Sequence, residues 1–206
     1  MAKERPGSPR ARLFIALDLP DAVREGIVAW QHAELTDPAL RAVPPQNLHV
    51  TLVFLGYVPE KEIGRLASIV QGIAGPAPSL ELRREPVAKP NGRPRLFALD
   101  AASDATVAMQ GRLERELVAA RLYKPEKRPF WSHLTVARVR NERRGSKRPA
   151  PVARRPGPLP QALCEPFGGV RITLYVSKLR PQGAEYAPLA QVELSEAGQR
   201  LGEEDG

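Results

Sequence analysis

Two of the three histidines in this 206-residue chain stand in the same local pattern, His49-Val50-Thr51-Leu52 and His133-Leu134-Thr135-Val136. A threonine two positions after a histidine sets a hydroxyl beside an imidazole on one face of a strand, because strand side chains alternate with a period of two. The chain has five threonines, so finding Thr at +2 of two of three histidines has a chance of about two in a thousand. Coincidence is a poor account of the pair. Two such strands facing each other would hold two imidazoles across a cleft. A neutral one can take a proton from water while a protonated one gives a proton to a departing oxygen. The hydroxyls can donate to the non-bridging oxygens of a phosphoryl group held between them. These residues suit phosphodiester chemistry with no metal and no cofactor, and either histidine could be the acid.

The elements around the motifs must bring them together. Residues 1–10 are short of apolar side chains and rich in charge and proline, and read as a disordered lead-in. A single domain is expected over 11–195, with an acidic flexible tail over 196–206. The first strand spans Arg12 to Asp18, followed by a helix capped by Asp21 with Val23, Ile27 and Trp30 on one stripe. The strand Leu48 to Leu55 alternates: Leu48, Val50, Leu52 and Phe54 on one face, His49, Thr51 and Val53 on the other. Gly56 is expected to stop it. A helix follows from Pro59 to Ile73, then strands at Leu80–Val87 and Arg95–Asp100 joined by a Pro90-Asn91-Gly92 turn. A third helix runs from Asp104 to Leu122 with Leu113, Leu117 and Ala120 inward. The second motif strand begins at Phe130, and two last strands lie near 170–176 and 185–193. The pattern is a weak duplication, one His-x-Thr strand per half.

Charge adds a partner class. Between Arg121 and Pro160 twelve basic residues face only Glu126 and Glu142, an excess that suits either a polyanionic partner or a solvated loop with no partner. The 141–160 segment holds five prolines from Pro149 to Pro160 and reads as a basic loop. No apolar run approaches the roughly 18 residues of a membrane span, and the first residues lack an apolar signal core, so no membrane association and a cytoplasmic setting are expected. Cys164, the one cysteine, cannot form an internal disulfide and is expected to be inert.

The chain resembles the two-histidine phosphoesterases, and within them the RNA 2′,3′-cyclic phosphodiesterases once named 2′-5′ RNA ligases. The resemblance is carried by Arg12-Leu13-Phe14-Ile15-Ala16-Leu17-Asp18-Leu19-Pro20, by Asn47 to Leu52 with Phe54-Leu55-Gly56, by His133 to Arg138, and by Val176-Ser177-Lys178-Leu179 with Gly183-Ala184-Glu185-Tyr186. It implies an α+β, bilobal duplicated fold with two antiparallel-leaning sheets facing a central cleft and helices outside. It also implies opening of a terminal 2′,3′-cyclic phosphate to a 2′-phosphate by two HXTX motifs, with His49 as proton donor and His133 as proton acceptor. The reverse reaction would be 2′-5′ RNA ligation without ATP. Ser132 stands where the family usually has proline, and Phe97 where a tryptophan is commoner.

Thr51, Thr135 and Arg138 are the phosphate-binding candidates. Arg138, five positions beyond His133, falls on the opposite face of a regular strand and reaches the cleft only if the strand first ends or bulges. Phe14 and Trp131 are candidates for stacking on a base, although core packing is the better reading of Phe14. The expected partner is RNA bearing 2′,3′-cyclic phosphate ends, tRNA fragments among them, and the expected state is a monomer. The rival readings are a basic RNA-binding module without catalysis, a metallohydrolase using both histidines, and a related phosphodiesterase acting on 2′-5′ oligoadenylate or ADP-ribose cyclic phosphate. The acids nearest the motifs, Glu60 and Glu142, make a poor metal set.

Overall fold

Apolar runs covered on both sides and joined by amphipathic helices generate the framework. In the computed structural model, which describes residues 9–180 and 183–195, ten strands and three α-helices follow the order β1 (Arg10–Asp18), α1 (Asp21–Glu34), β2 (Leu40–Ala42), β3 (His49–Pro59), α2 (Ile63–Gln71), β4 (Ser79–Leu82), β5 (Val87–Lys89), β6 (Leu96–Ala102), α3 (Asp104–Ala119), β7 (His133–Val139), β8 (Phe167–Gly168), β9 (Arg171–Arg180) and β10 (Gly183–Glu193). Residues 1–8 of the lead-in expected over 1–10, and the tail over 196–206, lie outside the described residues.

The strand order is β10-β9-β1-β3-β7-β6-β4-β8, with β2 on β7 and β5 on β6. All pairings between these strands are antiparallel, the α+β class expected. The sheet divides in the middle. β3 and β7 share a single residue pair, Val50 with Leu134, each the residue after a motif histidine. Both side chains are fully buried, and each contributes about 1.5–3 kcal/mol to holding the two halves edge to edge.

The halves repeat one another in register. In the first, Asp18, Leu17 and Ala16 of β1 pair with His49, Val50 and Thr51. In the second, Asp100, Leu99 and Ala98 of β6 pair with His133, Leu134 and Thr135. Each motif strand then bulges directly after its threonine: Ile15 pairs with Val53, leaving Leu52 unpaired, and Phe97 pairs with Ala137, leaving Val136 unpaired. An extra residue reverses the alternation beyond it. Leu52 with Val53, and Val136 with Ala137, are accordingly buried as adjacent pairs.

Leu13, Ile15 and Leu17 of β1, Leu66 and Val70 of α2, Leu113 and Leu117 of α3, and Leu99, Leu134 and Val136 of the second half are fully buried in one cluster. The helix α2 packs on β9 and β10, and α3 packs against α2 and β4. Gln31, a buried polar residue of α1, donates from Nε2 to the carbonyls of Val43 and Val136, tying the helix to the second motif strand.

Some boundaries differ from the sequence reading. β1 begins at Arg10, whose guanidinium bonds the Tyr57 carbonyl. Asp21 lies inside the first turn of α1, behind Pro20 at the cap position, and pairs with Arg24. Gly56 does not end β3; at φ +71°, in a region only glycine reaches cheaply, it forms a second bulge and the strand continues to Pro59. The stretch expected as one strand over 80–87 is two, β4 and β5. α2 starts at Ile63, behind a 3₁₀ turn over Glu60–Glu62, and α3 stops at Ala119, with Ser103 Oγ accepting from Thr106 N–H at its start.

The basic Pro-rich segment is better ordered than a solvated loop. A short hairpin closes over 140–150, with the Glu142 N–H on the Arg148 carbonyl and the Ala150 N–H on the Arg140 carbonyl. Beyond it the buried Asp37 accepts from the Ala153 and Arg154 amides, each at 2.7 Å, and Glu34 accepts from the Gly157 amide at 2.9 Å. Two acids distant in sequence fasten the strap.

Candidate active site

Because β3 and β7 meet at Val50 and Leu134, the side chains on either side of that pair fall in one place. A cavity of about 620 Å³ is lined by His49, Thr51, His133 and Thr135 together. The bulges extend the set. Past Leu52 and Val136 the alternation is reversed, so Phe54 and Arg138 also reach the cavity, at equivalent positions of the two halves. Arg138 therefore reaches the cleft by the irregularity its spacing required. Phe54, which strict alternation puts on the face opposite His49 and Thr51, stands 41% exposed, with the Arg12 guanidinium 4.7 Å from its ring centroid.

The lining is cationic. Arg12, Arg41, Arg138 and Arg180 all contribute, and the only acid among the described lining residues is Glu185, whose Oε2 accepts from Arg180 Nε at 3.1 Å. Arg12 is held by a 2.6 Å bond to Ser177 Oγ. Arg41 stands opposite Arg138 in the β2–β7 pairing. Four guanidiniums around two imidazoles favour an anion, and planar forked donors match phosphate oxygens.

Both imidazoles are held by their surroundings. His49 lies against Phe14 (5.0 Å between centroids), Tyr186 (5.6 Å, edge-on) and Tyr175 (6.2 Å), with Nε2 3.1 Å from Thr51 Oγ1. Burial pushes its pKa down to about 4; the Asn47 carbonyl opposes this, and the charges of His133 and Arg138 add to it. His133 is also shifted below the ordinary imidazole value, first by burial and then by Arg138 and Lys89, against the Trp131 carbonyl and Asp100. Its Nδ1 lies 2.7 Å from that carbonyl, which fixes the proton on Nδ1 in the neutral ring and leaves Nε2 as the free base. In the free protein both rings are neutral at pH 7.

Of the two stacking candidates, Phe14 lines the cavity and Trp131 is not among its lining residues. Phe14 is 3% exposed and packs among His49, Tyr175 and Tyr186. Trp131 is stacked on His133 and carries Lys89 Nζ over its ring. Among the aromatics lining the cavity, Phe54 is exposed and Tyr186 half-buried. His32 is exposed, and Cys164 is buried, its thiol raised by burial, with Sγ 3.8 Å from the Pro160 carbonyl. Among the described residues no group of three or more His, Cys, Asp or Glu could hold a metal ion, and no helix is long and apolar enough to cross a membrane.

Residues 17–95 match the family described as LigT like Phosphoesterase. The RNA 2′,3′-cyclic phosphodiesterase of Thermus thermophilus is 32% identical over 191 residues, covering 89% of this chain and 90% of that protein. The chain belongs to the LigT-like phosphoesterases. Solved structures agree with this membership. TT0787 of Thermus thermophilus superposes with a TM-score of 0.72 at 29% identity, over 88% of this chain and 97% of its own. Escherichia coli LigT complexed with 3′-AMP gives 0.69 at 26%, over 91% and 99%. The family match stops at Pro94 and Arg95, before the second motif; the register repeat places that motif opposite the first.

Proposed function

We propose that this LigT-like phosphoesterase opens terminal 2′,3′-cyclic phosphates on RNA, leaving a 2′-phosphomonoester and a free 3′-hydroxyl. The observation that carries the reading is the convergence of two His-x-Thr pairs and Arg138 on one arginine-lined cavity. The relative named RNA 2′,3′-cyclic phosphodiesterase supports the substrate, and the 3′-AMP complex of LigT supports a nucleotide in the cleft.

In the proposed step His133 Nε2 takes a proton from water as its oxygen bonds to phosphorus, the bond from phosphorus to O3′ breaks, and O3′ takes the proton of His49. Thr51, Thr135 and Arg138 hold the non-bridging oxygens, where charge accumulates. His49 must gain its proton as the anion arrives, since the free protein holds it neutral. Phe54, with Arg12 behind it, offers a stacking face for the base. No cofactor or metal takes part, the protein acts as a cytoplasmic monomer, and the reverse step with a 5′-hydroxyl in place of water gives a 2′-5′ linkage without ATP.

The test is a short RNA ending in a 2′,3′-cyclic phosphate incubated with protein in excess EDTA, with the product isomer identified. The 2′-phosphate at an undiminished rate is expected. A rate abolished by chelator and restored by a divalent metal would contradict the metal-free step, and binding without conversion would favour an RNA-binding module.

A further inference from the structure

Each motif histidine has an aspartate as its cross-strand partner, and each aspartate is bonded by an aromatic lying along that histidine. Asp100 pairs with His133 in register and accepts from Trp131 Nε1, while the indole stacks on the imidazole at 3.9 Å and 12°. Asp18 pairs with His49 and accepts from the Tyr175 hydroxyl at 3.0 Å, with Tyr175 inclined 29° to the His49 ring. The two aspartate–histidine pairs are related by the internal repeat, while their aromatics come from different places, Tyr175 from β9 and Trp131 from just before β7.

The second copy is the tighter. Trp131 holds its histidine by two independent routes, its carbonyl on Nδ1 and its indole against the ring face. The carbonyl route belongs to the backbone; the stacking route needs the indole fixed, and the carboxylate of Asp100 fixes it. From these contacts we infer that Trp131 and Asp100 are positioning residues for His133, a carboxylate–indole brace that keeps Nε2 aimed into the cleft. The inference deepens the proposed function, on which its kinetic arm rests. The imidazole takes one face of the indole.

The groups facing His133 are Asp100, Lys89, Arg138 and His49. Removing the indole and removing the carboxylate charge therefore act in opposite directions. Trp131→Leu uncovers the ring to water and raises its pKa toward the ordinary value, because burial is the main cause of the depression. Asp100→Asn keeps an oxygen for the indole N–H but deletes a negative charge that favours the imidazolium, so the pKa falls further. Trp131→Phe keeps a ring over the imidazole and gives up only the bond to Asp100.

The experiment is an NMR titration of the His133 Cε1–H, assigned by its loss in His133→Ala, beside kcat and KM on cyclic-ended RNA, with thermal melting of every variant. Trp131→Leu is expected to lower kcat tenfold or more with KM held within about threefold, and to move the titration up. Asp100→Asn is expected to move it down and to lower kcat less than Trp131→Leu does, and Trp131→Phe, which keeps the ring but loses the bond to Asp100, to recover only part of the lost kcat. An unchanged titration and kcat in Trp131→Leu would overturn the brace. So would Trp131→Leu and Asp100→Asn shifting the titration the same way, the signature of general loosening. If Trp131→Leu fails to fold, the other two variants decide by the same signs. Wild-type protein inactive on cyclic ends would refute the functional reading while the titration still judged the brace.

Discussion

The depressed proton affinity of the two imidazoles dictates an asymmetric pH dependence. Turnover needs His133 neutral and His49 protonated. In the free protein His49 holds its proton only below about pH 4, so at pH 7 about one molecule in a thousand carries it. His133 becomes protonated at a pH below the ordinary imidazole value. The bell in kcat/KM, which reports the free enzyme, should therefore peak on the acid side of pH 6.5 and fall tenfold per pH unit above its alkaline limb. A bound phosphodiester changes this. An anion about 4 Å from an imidazolium at an effective dielectric near 20 supplies about 4 kcal/mol, a thousandfold gain in proton affinity that carries His49 from about 4 to about 7. The alkaline limb of kcat should thus lie above that of kcat/KM, by up to about three pH units. The assay is initial rates on a cyclic-ended oligonucleotide from pH 4 to 9 at constant ionic strength, over a concentration range that separates kcat from KM. The substrate phosphodiester does not titrate there, so the limbs belong to the protein. Coincident alkaline limbs in the two profiles, both above pH 7, would refute the reasoning.

Three further outcomes are expected. Arg138→Gln should lower kcat/KM roughly 10- to 100-fold, the loss of one or two charge-assisted bonds to the phosphate, measured on the cyclic-ended oligonucleotide; a change under twofold would remove Arg138 from the site. Asp37→Asn should lower the melting temperature by roughly 3–6 °C at pH 7, because the carboxylate accepts from the Ala39, Ala153 and Arg154 amides. Those bonds hold the pKa of Asp37 below its ordinary value, so its contribution is present above about pH 4 and the gap to wild type should close as pH falls below that. Neutralising Arg143, Arg144 and Lys147 at the hairpin tip should weaken binding of long RNA and flatten its salt dependence, leaving a cyclic mononucleotide unaffected; equal effects on both substrates would count against a backbone-contacting role.

Much of the site was legible because its signal is local. Two-residue spacing puts His and Thr on one strand face whatever surrounds the strand, and the stripes of Ile27 with Trp30, Leu66 with Val70 and Leu113 with Leu117 mark helices by period alone. The bulges were not legible. Nothing in Leu52-Val53 or Val136-Ala137 announces an unpaired residue, yet one extra residue decides that Arg138 and Phe54 face the cleft. The fastening of the basic segment was hidden for another reason: Asp37 and Glu34 lie more than a hundred residues from the amides they bind. The aspartates opposite the histidines were equally invisible, since cross-strand register is set by the whole sheet. Trp131 illustrates the limit. An aromatic two residues before a histidine reads as a stacking surface, and the fold turns it onto the histidine itself.

The most direct test of two-imidazole catalysis is the turnover of cyclic-ended RNA by His49→Ala, His133→Ala and the double variant, compared with wild type at the wild-type optimum. Each single variant should lose about 100- to 10,000-fold in kcat, and the double should lose little more, because the two rings act as one unit. Either single variant retaining activity within tenfold of wild type would contradict the account.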